Sequence, residues 1–279
     1  MNTSMIAASV TMGQLQKKLD TISHNLANVN TQGFKRREAS FSDLLFQQVN
    51  NQTMPVHEVG RLTPNGIRVG AGAKVAQTAL RIEQGSIQQT ERSLDVAIDG
   101  RGHFFQVLTE EGGQLVTRYT RDGAFYLSQN QNNPDVLNLV TSNGSFVVGT
   151  NGPITIPANY SEIQIGKNGT ISVTMQNGAV QQLGALELVN VARPQMLEQV
   201  GDNQFALRDN VVDLGYVPAD IVLVLPQQNV SVQQGALEMS NVDMSREMSE
   251  MLLAQRSYQF NSRSITMADQ MMGLVNGIR

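Results

Sequence analysis

Residues 5–29, MIAASVTMGQLQKKLDTISHNLANV, decide how the chain is built. Within them Met5, Ala8, Met12, Leu15, Leu19, Ile22, Leu26 and Val29 alternate at spacings of three and four. An apolar position every 3.5 residues, held for more than three heptads, is the pattern of a helix that packs lengthwise on other helices. At ~1.5 Å per residue it predicts a rod about 40 Å long, marginal alone in water and dependent on a partner surface. Asn28-Val29-Asn30-Thr31-Gln32-Gly33 ends it, because polar turn formers and a glycine stop a helix.

Outward from this segment, the far end of the chain repeats the design. Met248, Met251, Gln255, Tyr258, Ser262, Ile265, Asp269 and Met272 keep the same alternation, widened by Leu252, Ala268 and Val275. Polar seam positions weaken a helix as an independent folder and fix its register against a partner. Seven of the 13 methionines fall between Met239 and Met272, and methionine adapts to irregular neighbours.

Between the ends the period changes to two. Asp99-Gly100, Asp122-Gly123, Asn143-Gly144, Asn151-Gly152, Asn168-Gly169 and Asn177-Gly178 are tight-turn dipeptides. They separate short β-branched runs at 103–108, 136–140, 145–148, 170–174, 186–191 and 221–225, as in an antiparallel sandwich or small barrel. The reading is α+β: long N- and C-terminal helices pairing as a coiled-coil-like core domain, with an antiparallel all-β domain inserted. Its expected segments are a core helix at 1–35, an extended connector at 36–75 and the β domain at 76–225. A return connector at 226–239 and the second core helix at 240–279 follow. On this reading residues 76–225 fold alone.

Charge follows the same division. Residues 1–75 carry eight basic and four acidic side chains, 76–239 eight and sixteen, and 240–279 four and four. A net charge of −4 argues against a nucleic-acid binder that relies on a broad basic field. With three histidines and no cysteine, zinc ribbons, Cys–His nucleophiles, iron–sulfur sites and disulfide frameworks are excluded. No run approaches the about 18 apolar residues of a membrane span, and the N-terminus lacks the charged start and apolar block of a cleaved signal.

Local chemistry is sparse. Gly70-Ala71-Gly72-Ala73-Lys74 lacks the spacing of a phosphate loop, and the 95–100 segment has Gln106 where a calcium loop closes with glutamate. His24, His57 and His103 have no metal-ligand spacing, and Lys35-Arg36-Arg37 is an isolated basic triplet. No catalytic residue, metal site or cofactor is expected, and the chain reads as a non-enzyme.

Two end segments resemble the flagellar hook and basal-body rod family. LDTISHNLANVNTQGFKR, 19–36, supplies Asn25, Ala27, Asn28, Asn30, Thr31, Gly33, Phe34 and Lys35 of the amino-terminal motif. QGALEMSNVDMSREMSEMLLAQRSYQFNSRSITMADQMM, 234–272, supplies Ser240, Asn241, Val242 and Asp243, then Gln255, Arg256 and Tyr258, of the carboxy-terminal motif. The stretches 66–75, 84–107, 119–127 and 183–197 are similar too, so the resemblance covers most of the chain. His24 stands where the family usually has asparagine, and Phe260 where it has a smaller residue.

The resemblance implies an axial structural subunit of the flagellar basal body, most like the distal rod protein or a close paralogue. Such a subunit self-assembles helically through its terminal helices and transmits torque. The implied partners are further copies of itself, neighbouring rod and hook subunits and the flagellar type III export apparatus, with no nucleic acid and no membrane insertion. The implied location is outside the cytoplasmic membrane, in the periplasm or cell-wall zone, reached without a cleaved signal peptide. Phe41 and Leu45 are similar to an export-gate motif. The alternatives are a hook or hook–filament junction protein and, from a different class, a cell-wall-binding or cell-wall-cutting β protein; the latter would need convergent carboxylates in a pocket.

Overall fold

In the computed structural model the described residues are 2–43, 46–49, 67–70, 73–130, 133–208, 211, 213 and 215–277. The class is α+β: a long helix at each end and antiparallel sheets between them. Helices are α1 (Asn2–Ala27), the single turn α2 (Pro218–Ile221) and α3 (Met244–Gly277). Two compact units divide the chain, one of Met1–Leu26, Arg37–Ala79 and Met244–Arg279, the other of Ala27–Arg36 and Leu80–Asp243.

In the first unit, α1 forms where the 3.5-residue pattern predicts it. Every described seam residue on it is buried or half-buried, whereas Ser9, Gly13, Gln16 and Asp20 are exposed. Strand Arg37–Asp43 pairs with Ala73–Leu80, and Phe46–Val49 runs antiparallel to Ile67–Gly70. Part of the expected connector therefore carries strand structure.

The second unit is built around strand His103–Glu111. On one side it pairs with Gln114–Thr120, and on the other with Phe146–Gly149 and Leu188–Val191 in succession. Successive side chains of a strand point to opposite faces, so Phe104 and Phe105 enter different cores. Phe105 meets Phe125 edge-on at 5.0 Å among Val107, Leu139, Val147 and Ile156. Phe104 meets Phe205 at 5.6 Å among Tyr119, Val189 and Leu197. A three-stranded sheet of Tyr160–Ile165, Thr170–Met175 and Val180–Ala185 continues the first core through Ile163, Ile165, Ile171 and Val173.

The observed units cut across the sequence-based boundaries. Residues 226–239, read as a return connector, hold two short strands of the β unit. Val232–Gln234 pairs with Val96–Ile98, and Ala236–Glu238 pairs with Ile87–Gln89. Residues 27–35, read as the end of the core helix, and Arg36, read as the start of the connector, join the same unit. In both cases short polar segments gain their hydrogen-bond partners from distant parts of the chain, which no local pattern reports.

Candidate assembly site

The helix pair has its own polar marks. Lys18 Nζ lies 3.5 Å from Glu250 Oε2, and Asn25 Nδ2 donates to Glu247 Oε2 at 3.2 Å. As the residue number rises on α1 it falls on α3, so the helices run antiparallel here. Asn25 and Glu247 are both buried. Asn25 also clamps the chain leaving the helix: its Oδ1 accepts from Arg37 N at 3.0 Å and its Nδ2 donates to Arg37 O at 2.8 Å. Arg246 sits 3.9 Å from Glu38 and 3.3 Å from Glu250.

The apolar side of α1 contains Met5, Met12, Leu15, Leu19 and Leu26, each half-buried, and Ile22, only 3% exposed. Val29 is half-buried and lies past the helix end, in the β unit. On α3 the covered side runs through Glu247, Met251, Ala254, Tyr258, Asn261, Ile265, Ala268 and Met272. Met251, Tyr258, Ile265 and Met272 of the expected seam are half-buried on this side. Met248, Gln255, Ser262 and Asp269 are exposed in the single chain, each one residue beyond the covered one. The reason is that a 3–4 and a 4–3 alternation share every second position. Apolarity chose Met248 over Glu247, whereas burial of Glu247 depends on Asn25. Phe41 is exposed on strand Arg37–Asp43 with Lys18 Nζ 5.8 Å from its ring centre; Leu45 lies outside the described residues.

In the β unit, the amino-terminal and carboxy-terminal motifs meet at Glu238. Its Oε1 accepts from Lys35 Nζ at 2.5 Å and from Gly85 N at 2.8 Å, and its Oε2 accepts from Arg121 Nε. Lys35 and Glu238 side chains are each 1% exposed. Lys35 Nζ further donates to Glu83 O at 2.8 Å. The Arg121 guanidinium also donates to the carbonyls of His103, Ile98 and Gly100, the last two at 3.2 and 2.7 Å. Two buried cations share one carboxylate. Burial pulls the Lys35 amine below the ordinary lysine range; Glu238 opposes that shift and Arg121 adds to it. A dry ion cluster survives only when such hydrogen bonds satisfy its remaining donors.

The backbone around the cluster is stitched in the same way. Gly33 N donates to Glu238 O at 2.7 Å. Asn241 Oδ1 accepts from Arg36 N at 2.8 Å, and Asn241 Nδ2 donates to the carbonyls of Arg81 and Glu83 at 2.8 and 3.0 Å. Asn203 Nδ2 donates to Gln32 O at 2.5 Å, and Thr31 Oγ1 donates to Asn28 Oδ1 at 3.1 Å. Gly33 has φ +66°, and a Cβ there would stand 2.6 Å from Arg121 C. At Gly123 a Cβ would stand 1.8 Å from Val96 O. These positions accept only glycine, because the facing atoms are backbone and cannot swing aside. Ser240 and Phe34 are buried, and Val242 closes the same corner.

The resembling segments hold Lys35, Asn241, Glu238 (in Leu-Glu-x-Ser-Asn-Val-Asp) and Arg121 (in 119–127), but sequence reasoning gave Glu238 and Arg121 no role. The available signal was a glutamate following apolar Ala236-Leu237 in a strand-like stretch, where only a paired carboxylate fits. Among the described residues no cluster of three or more His, Asp and Glu could hold a metal, and no helix is long and apolar enough to cross a membrane.

Three parts of the chain match known families. Residues 5–35 match flagella basal body rod protein, 97–173 the flagellar hook protein FlgE/F/G D1 domain, and 233–278 the flagellar basal body rod FlgEFG protein C-terminal region. Lys35, Arg121 and Glu238 fall one in each. Full-length relatives agree. Flagellar hook-basal body complex protein FlhP of Bacillus subtilis is 43% identical over 279 residues, 99% of both chains. Flagellar basal-body rod protein FlgG of Borreliella burgdorferi is 36% identical over 268 residues, 95% of this chain and 94% of that one. The FlgG of Agrobacterium fabrum is 35% identical over 275 residues, 98% of each. With a buried junction assembled from all three matched segments, and relatives aligned end to end, the chain belongs to the flagellar hook and basal-body rod protein family.

Proposed function

We propose that this chain is a structural subunit of the bacterial flagellar basal-body rod, of the distal-rod type. It polymerises helically through its terminal helices and binds neighbouring rod and hook subunits at the ends of its own segment. The observation that carries this reading is the state of the α1 seam. It is apolar along the whole helix, yet apart from Ile22 its described helical members are only half covered in a single chain. Burying such a side chain completely stabilises by ~1.5–3 kcal/mol, so each holds part of that free energy for a neighbour. Repeating a contact between unlike surfaces yields an open helical filament. Torque then passes through many shallow contacts, and no catalytic group takes part.

On this reading α1 and α3 close further as a coiled-coil-like core when copies pack together, and the acidic β unit supplies charge for solubility. The subunit acts outside the cytoplasmic membrane and is exported through the flagellar type III apparatus without a cleaved signal peptide. Helices that are marginal alone suit that route.

Leu19→Asp tests the reading, because it sets a charge in the seam. The expected result is a variant that is exported at the wild-type level but forms no rod, leaving cells non-motile. A working flagellum built from exported Leu19→Asp chains would overturn it.

A further inference from the structure

On α3 a second apolar row runs along the side turned away from the covered one. Leu253, Phe260, Met267 and Leu274 recur every seven residues and are 62, 71, 59 and 70% exposed. Ser257, Ser264 and Met271 fill the positions between them, giving spacings of 4, 3, 4, 3, 4 and 3. At ~100° per residue this row lies roughly 140° around the helix from the side that carries Met251, Ala254 and Tyr258. It is therefore a separate seam, about 32 Å long at ~1.5 Å per residue.

A seam of that period and length calls for another helix. Among the described residues this chain has only α1 and α3 long enough, and its own α1 already meets the opposite side of α3 through Lys18 and Asn25. We propose that the row centred on Phe260 docks onto the outward side of α1 in a second copy of this chain. The inference rests on the assembly reading above and names the surface that carries it.

The receiving side has the matching character. Ile6, Ser9, Gly13, Gln16 and Asp20 follow one another at spacings of three and four, and all are exposed. A bulky ridge meets a shallow face there: nothing lies within 4 Å of a Cβ built on Gly13, and Ile6 supplies an apolar end. Charge on these two sides is mixed: Arg256 and Arg263, both exposed, flank the α3 row, and the α1 face carries Asp20, the one acidic residue of that helix, beside exposed Lys17. Because the two surfaces are unlike, each copy keeps one of the two free after binding, and the contact extends without closing.

The test uses the full-length chain in a flagellated host, with a benzophenone amino acid in place of Phe260 and two differently tagged copies expressed together. Irradiation of purified basal bodies should give a product containing both tags, with the crosslinked peptide falling in residues 2–27. A crosslink within one chain, to residues 80–243, to α3 of the second copy or to another protein overturns the proposal, as does no crosslink at all. Phe260→Glu, which alters an exposed side chain, should be exported normally yet reduce assembled basal bodies at least tenfold. Normal assembly of Phe260→Glu alongside failure of Leu19→Asp would refute this surface and leave the assembly reading standing. Normal assembly of Leu19→Asp would refute the assembly reading itself.

Discussion

Glu238→Gln should be among the most damaging substitutions in the β unit, and Lys35→Met among the mildest at a fully buried charge. The cluster holds two cations, Lys35 and Arg121, against the single carboxylate of Glu238. Removing the carboxylate leaves two like charges buried together and turns an amide donor toward one of them. Breaking a buried pair in this way costs about 3–5 kcal/mol. Lys35→Met instead removes the surplus cation. Glu238 keeps Arg121 and the Gly85 N–H, and a side chain of similar volume fills the space, so the cost should stay below about 1 kcal/mol.

The pH dependence separates the variants further. A lysine whose folded pKa lies below its unfolded value of 10.5 binds fewer protons folded than unfolded between those two values, so stability rises with pH across that window. Glu238 is the strongest influence holding the Lys35 proton on. In Glu238→Gln the rise should begin at lower pH, whereas in Lys35→Met it should vanish. Urea unfolding of the full chain, followed by far-ultraviolet circular dichroism and by hydrogen exchange in strands Val96–Ile98 and Ala236–Glu238, measures both effects. The charge argument is refuted if Lys35→Met costs as much as Glu238→Gln, or if Glu238→Gln lies within 1 kcal/mol of wild type at pH 7 (against the roughly 3–5 expected).

A fragment of residues 27–243 should fold as a β-rich monomer by circular dichroism and sedimentation. Residues 76–225 should be far less stable, since they lack both strands that pair with Val96–Ile98 and Ile87–Gln89. Gly123→Ala should cost more than about 4 kcal/mol in urea, because the methyl meets a carbonyl oxygen; Gly13→Ala should raise helix stability by up to about 1 kcal/mol. His103 has its pKa lowered by burial and then by Arg121, so between that value and 6.5 the unfolded chain holds more protons. Stability should therefore fall as pH drops below 6.5, and His103→Asn should flatten that acid limb of the urea midpoints.

What the sequence carried plainly was periodicity. The strand at 136–140 appears where the short apolar run Val136-Leu137-Asn138-Leu139-Val140 marks it, and α1 forms over the 3.5-residue pattern, because both depend on neighbours one turn or one residue away. Strands such as Val180–Ala185 and Ile87–Gln89 carry little apolar signal: glutamines supply two of six residues in the first and two of three in the second, and pairing, not burial, defines them. On α3 the side covered in the single chain differs from the expected seam at every second position for a related reason. Gln255 and Ala254, or Asp269 and Ala268, are equally poor apolar signals, and only the partner helix decides between them. By sequence Lys35 is one of an isolated basic triplet and a residue of the amino-terminal motif, and neither shows that it is buried. Its burial follows from Glu238 and Arg121, which lie 203 and 86 positions away and leave no trace near it.

Lys35 and Glu238 are separated by 203 positions, with Gly33 and Asn241 tied across the same corner. A chain delivered from its N-terminus therefore cannot complete the β unit until nearly all of it has emerged. Loops of that length close slowly, and folds dominated by such distant contacts are slow to form. The first 36 residues wait for a segment near the other end, much as a belt stays open until the buckle arrives. An incomplete chain, cut short before residue 238, lacks the carboxylate that pairs with Lys35 and Arg121 and so leaves two cations unpaired at that corner.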